Sequence, residues 1–230
     1  MATVQSVIDQ VRYTIHDETP STYRWSDAEL LAYVNAAGRQ IVSLVPEANL
    51  VSSIVSITNT IAKQAIPSGG IKFVKVLNNV SQADALTVEG AVRKVEKDAL
   101  DSYDPDWEYD TTIKTLVASS DFFDHYCHDP RDKKAFYVYP PASAAAYAKI
   151  QYSAVPTALT AVSDTIPLDD EYLEAYYAYV TYRALTKESR DTLPTAYRDE
   201  LWKNFLTALG LKLQADERVS PEQHAPPEAP

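Results

Sequence analysis

The hydrophobic period of this chain changes twice, and those two changes constrain the fold more than any other feature. Apolar residues first recur at Val4, Val7, Ile8, Val11 and Ile15, the three-and-four spacing of one helical face. A second helix is announced by Ser26 with Glu29 three residues on, a capping box flanked by Trp25 and Leu30 as a hydrophobic staple. It turns Leu30, Leu31, Val34, Gly38, Ile41, Val42 and Val45 inward and stops at Pro46. From residue 50 the pattern becomes β-branched and alternating. Val51–Thr58, Ile71–Leu77, Val92–Glu96, Phe136–Tyr139 and Ala148–Ser153 read as strands, with a short helix at Lys97–Tyr103. Helical spacing returns after Pro167. Asp169, Asp170, Glu171 and Glu174 stand in the first turns, where the helix dipole favours acids. Leu173, Tyr177, Val180 and Ala184 then form a stripe with Tyr172, Tyr176 and Tyr179 beside it, and a last helix spans about 195–215.

This order predicts an α+β protein: a helical bundle made by the N- and C-terminal helix pairs, carrying an inserted β-rich domain. The boundaries are drawn at 1–49 with 167–219 for the bundle, 50–166 for the insertion, and 220–230 for a flexible tail. The tail holds Pro221, Pro226, Pro227 and Pro230 and no large apolar side chain, so it has nothing with which to build a core.

Composition narrows the function. With 46% hydrophobic and 23% charged residues, the 230-residue chain can bury a core. Its net charge of −11 repels phosphate backbones, which disfavours a general nucleic-acid binder. A single cysteine, Cys127, cannot close an internal disulfide. The start lacks the basic and apolar runs of a signal peptide, and no stretch approaches the ~20 apolar residues of a membrane span. A soluble chain in a reducing compartment, with no membrane partner, is expected.

Chemistry-bearing clusters are few. Asp124-His125-Tyr126-Cys127-His128-Asp129 offers metal-ligand types, but nearly consecutive ones with no distant second pair, so a polar loop leading into Pro130-Arg131 is the expectation. Asp104 with Asp106, and Asp169 with Asp170 and Glu171, are carboxylate pairs that could do glycosidase work only if held on opposing walls. Adjacent acids at a helix start are ordinarily dipole and cap residues. There is no G-x-S-x-G, no H-E-x-x-H and no Gly-rich phosphate loop, and only five glycines in all. No catalytic residue, metal or cofactor is expected. The tyrosines from Tyr172 to Tyr182 could stack bases, yet only Arg183 and Lys187 lie near, so a packing or subunit-contact face is the better reading, with Tyr172, Tyr176 and Tyr179 as its contact residues.

Five stretches, taken in order, carry a family likeness: Arg24-Trp25-Ser26-Asp27-Ala28-Glu29-Leu30-Leu31 with Asn35; Ala99-Leu100-Asp101 before Asp104-Pro105-Asp106-Trp107; Asp129-Pro130-Arg131 before Phe136-Tyr137-Val138-Tyr139-Pro140; Tyr152-Ser153-Ala154-Val155-Pro156; and Tyr179-Val180-Thr181-Tyr182-Arg183-Ala184-Leu185-Thr186-Lys187. Over roughly residues 1–213 the chain resembles the head-to-tail adaptors of short-tailed bacteriophages, the gateway or tail tubular A-type connectors. The resemblance implies a structural virion protein, made in the host cytoplasm and placed at the neck of the particle. It implies a self-assembled ring, of twelve copies in the family, which joins the portal protein to the tail nozzle protein and lines the channel through which viral double-stranded DNA passes during ejection. It also implies that the C-terminal part docks on the portal, which points to Leu213, Arg218, Pro221, Pro226 and Pro227. Two other functions would suit a chain of this composition: a virion-associated lytic hydrolase, or a host-directed interaction protein.

Overall fold

The computed structural model describes residues 1–58, 61–81, 88–105, 107–108, 122–142, 146–188 and 195–219, with side chains given to residue 210. Its helices are α1 (Val4–Thr14), α2 (Asp27–Leu44), α3 (Lys97–Tyr103), α4 (Leu173–Glu188) and α5 (Thr195–Val219). Its strands are β1 (Leu50–Ile57), β2 (Lys63–Ala65), β3 (Gly70–Val80), β4 (Val88–Gly90), β5 (Arg93–Lys94), β6 (His125–Cys127), β7 (Ala135–Tyr139) and β8 (Ala146–Ala154). The protein is thus mixed α+β. The chain divides into two units, Met1–Ala48 with Pro156–Pro230, and Asn49–Val155.

In the helical unit, α4 packs against α1, α2 and α5. The apolar stripe of α1 is fully used: Val4, Val7, Ile8 and Val11 have no exposed surface. Ser26 caps α2, its Oγ accepting the Glu29 N–H at 3.2 Å. The carboxylate of Glu29 does not complete the expected box. It accepts from the Tyr33 hydroxyl at 2.7 Å and from the Lys187 ammonium on α4, tying two helices together. Segment 156–166 is strapped to the same unit. Asn35 on α2 both donates to and accepts from the backbone of Leu159, at 2.9 and 2.8 Å. Val4 N donates to Asp164 O and Ile166 N to Ala2 O, an antiparallel bridge at Thr3 and Thr165.

The face of α4 that enters the core is rotated from the sequence expectation. Tyr172, Ala175, Tyr176, Tyr179, Val180 and Ala184 are buried, while Leu173 and Tyr177 are only half-buried. Gly38 explains part of this. A Cβ at that position would stand 2.8 Å from the Tyr176 hydroxyl, so glycine on α2 is what admits the phenol. Tyr179 packs edge-on to Phe205 of α5, with ring centres 5.2 Å apart.

The second unit is layered. One sheet runs β1-β8-β3-β4 and the other β2-β7-β6-β5. β8 pairs antiparallel with β1 in unbroken register, from Leu50 opposite Ser153 to Ile57 opposite Ala146. The facing sides of the two sheets share a core of Ile57, Phe73, Val76, Tyr126, Phe136, Val138, Ala148 and Ile150. Phe73 and Phe136 stack across it at 4.7 Å. Alternation along β6 and β7 sends Cys127 and Tyr137 the other way, where Leu100 of α3 and Trp107 cover them. Trp107 is anchored by its indole N–H, which donates to Asp101 at 2.7 Å. The strand expected at Val92–Glu96 contracts to β5, because Glu96 is already the N-cap of α3.

Candidate functional site

The Arg24-Trp25-Ser26-Asp27 stretch is part of a buried clasp. Arg12 donates to Asp17 Oδ2 at 2.6 Å, to the Trp25 carbonyl at 2.8 Å and to Asp27 Oδ1 at 2.8 Å. Its guanidinium lies 3.5 Å over the centre of the Tyr23 ring. Asp17 Oδ1 accepts the Arg24 N–H at 2.9 Å. Arg12 and Asp17 are both buried, so the motif that carries the family likeness is structural: it locks the α1–α2 connection. Sequence reading missed Arg12, because an arginine beside the α1 stripe looks like a solvated charge.

Tyr172, Tyr176 and Tyr179 must be reassigned. With 4%, 1% and 6% of their surface exposed, they have no area left for a second copy and belong to the internal packing of the helical unit. Burial pushes the Tyr176 phenol well above its ordinary pKa. Among the described residues the aromatics presented to solvent are others: Tyr13 at 65%, Tyr103 at 81%, Tyr197 at 40% and Tyr23 at 39%. For Tyr13 a signal was present, since it falls off the Val4–Val11 stripe. Leu213 and Arg218 lie along the backbone of α5, beyond the side chains described. Pro221, Pro226 and Pro227 fall outside the described residues.

The Asp124–Asp129 segment is half strand, not loop. β6 covers His125–Cys127, so successive side chains point to opposite faces of its sheet. His125 and Cys127 share one side and Tyr126 the other, while His128 Nδ1 lies 3.0 Å from the Ala135 carbonyl oxygen. Among the described residues no three His, Cys, Asp or Glu side chains converge as metal ligands. Cys127 is buried, and burial pushes its thiol up to about 12. The folded protein is therefore expected to alkylate with a maleimide on the order of 100-fold more slowly than the urea-unfolded chain, since both thiolate fraction and access are lost. Equal rates, read by mass spectrometry, would show that Cys127 is open in solution.

Of the acidic pairs, Asp104 and Asp170 are engaged by neighbouring groups. Asp104 accepts from the Tyr139 hydroxyl at 3.4 Å, and Asp106 lies outside the described residues. The N-terminal ammonium at 3.2 Å, and then the Ala2 N–H donated at 3.0 Å, hold the Asp170 carboxyl below its ordinary pKa. Two shallow hollows open on the helical unit. One of about 320 Å³ lies among Gln10, Thr14, Glu174, Tyr177, Thr181 and Asn204. Another of about 250 Å³ lies among Tyr33, Tyr182, Arg183, Thr186 and Lys187. Burial, and then the hydrogen bond to Glu29, pushes the Tyr33 phenol up to about 12. Neither hollow contains a nucleophile poised on a base.

A family model described as SU10 adaptor protein matches residues 2–226. The chain belongs to the SU10 adaptor protein family. Comparison with curated proteins finds no match. The family is one of phage adaptors, structural and not enzymatic, and agrees with the resemblance read from the sequence. The match extends over the helical unit, the layered unit and most of the Pro-rich end. No described helix is long and apolar enough to cross a membrane.

Proposed function

We propose that this SU10-family adaptor forms a ring, twelve copies in the family it resembles, which joins the portal to the tail nozzle and lines the DNA exit channel. The observation that carries the reading is the family match across nearly the whole chain. Three features support it. The charge of −11 per copy suits a conduit wall that lets DNA slide. The exposed Tyr13, Tyr103 and Tyr197 are the residue type enriched at protein contacts. The C-terminal segment, rich in proline and poor in apolar residues, suits an arm that orders on the portal, with Leu213, Arg218, Pro221, Pro226 and Pro227 as its docking residues.

Mass spectrometry of purified virions, combined with a cryo-EM reconstruction of the neck, tests this directly. The protein is expected in the particle, as a ring between portal and nozzle. Its absence from virions would leave the host-directed alternative. The purified protein is also expected to bind duplex DNA no more tightly than about 10 μM at physiological salt, weaker than or equal to ordinary non-specific binding. A sub-micromolar affinity with a steep salt slope would count against a sliding channel.

A further inference from the structure

The layered unit carries opposite charge on its two outer sides. β8 alternates, with Ala146, Ala148, Ile150 and Tyr152 turned into the core. Tyr147, Lys149 and Gln151 alternate with them on the other side of the strand, where Lys149 is exposed. The register places Ile54 opposite Lys149, and Ser52 and Lys75 on either side of Gln151. Phe73 and Val76 of β3 point inward, while Lys72, opposite the buried Ser153, is half-buried. Every charged residue on β1, β3 and β8 is a lysine: Lys72, Lys75 and Lys149. Lys75 and Lys149 are exposed and make no ion pair among the described residues. Glu89, on the short edge strand β4, is the acid of this sheet. Leu50 and Val74 add exposed apolar surface at 41% and 37%.

The far side of the same unit is acidic. α3 and Trp107 lie on the outer face of the second sheet, so the stack runs from lysine face, through two sheets, to α3. Exposed Glu96, Asp98 and Asp101 stand there with Tyr103, which is 81% exposed. The neighbouring lysines are already engaged: Lys97 with Glu108 at 2.6 Å, Lys94 with Glu96 at 3.6 Å, and Lys63 with Asp132 at 2.6 Å. Arg93 sits at the sheet edge on β5. Asp98 and Asp101 make no ion pair among the described residues.

We infer that the lysine face of one copy docks on the α3 face of the next. The occupant is a second copy because the complementary surface is on this chain, and because each face mixes charge with apolar or aromatic area, as protein contacts do. Two different patches on opposite sides make a heterologous, head-to-tail contact, which generates rings or filaments and not closed dimers. The inference rests on the ring reading above and names its surfaces. It also resolves an electrostatic difficulty. Copies of charge −11 repel at long range, but that repulsion is screened beyond about 8 Å at physiological salt, whereas facing lysines and carboxylates in contact are screened less.

The test is sedimentation velocity on the full-length protein over a concentration series, free and on portal-bearing capsids. Lys75→Glu with Lys149→Glu gives a copy with two acidic faces, and Glu96→Lys with Asp98→Lys gives one with two basic faces. Each variant alone is expected to self-associate at least ~10-fold more weakly than wild type, with an unchanged thermal midpoint. An equimolar mixture of the two, or all four substitutions in one chain, is expected to restore association. Restoration cannot come from a misfolded protein. Variants that associate like wild type, or a mixture that stays dispersed while wild type associates, would overturn the inference and leave the ring reading standing. Loss of duplex-DNA affinity in Lys75→Glu/Lys149→Glu with self-association intact would also overturn it, assigning the face to nucleic acid. Wild type that assembles neither alone nor on capsids would overturn both readings.

Discussion

Arg12→Ala is expected to destabilise the helical unit by about 3–5 kcal/mol, the cost of stranding a buried partner. The guanidinium satisfies three oxygens at once: Asp17 Oδ2, the Trp25 carbonyl and Asp27 Oδ1. Of these, Asp17 is the decisive one, because only 5% of it is exposed and water cannot replace the lost donor. Asp27, with about half its side chain in solvent, contributes much less. The double variant Arg12→Met/Asp17→Leu removes both charges and is expected to recover most of the loss, since a buried pair and its apolar replacement are often close in energy. Urea unfolding followed by far-UV circular dichroism measures both. A loss below about 1 kcal/mol for Arg12→Ala would mean that Asp17 finds another partner or opens to solvent.

Deletion of residues 214–230 is expected to abolish attachment to portal-bearing capsids while shifting the thermal midpoint by no more than about 2 °C. The apolar run of α5 ends at Leu213. Beyond it Val219 is the one large aliphatic residue before the Pro-rich end, so little hydrophobic burial is at stake. Pro221, Pro226 and Pro227 restrict the free chain to extended forms, which lowers the entropy lost on docking. A single arm that folds on its partner binds weakly, but a ring presents many arms together, and the avidity gain reaches 10²–10⁴-fold by order of magnitude. Attachment at the wild-type level by the truncated protein would reduce the segment to a dispensable appendage. A collapse of the midpoint would show instead that the end of α5 belongs to the folded helical unit.

Periodicity made the elements legible. The α1 stripe, the Ser26 cap, the β1, β7 and β8 runs and the short α3 were all readable, because each is dictated within a few residues by side-chain spacing or by a capping donor. The family likeness was readable too, from the order of short stretches that turn out to be clasps and anchors: Arg24–Asp27 around Arg12, Asn35 against Leu159, and Asp101 against Trp107. What those stretches do was not readable, since their partners lie far along the chain. Asn35 and Leu159 are separated by 124 positions.

The contact residues were the least legible part. Aromatic residues at helical spacing serve equally for packing and for docking, and only the rotation of α4 decides between them. That rotation follows from Gly38 on α2 and from Phe205 on α5, which draw Tyr176 and Tyr179 inside. Glu29 shows the same limit: its capping geometry was implied locally, but Lys187 from another helix claimed the carboxylate. The opposed lysine and acidic faces are invisible in a linear count, which gives only −11. Their separation arises because Lys75 and Lys149 are exposed on one sheet while α3 covers the outer side of the other. Sequence alone thus determined the elements, their order and the family, all set by local spacing. Tertiary structure decided which tyrosines are core and which charges face which side, because those depend on the neighbours that each face meets.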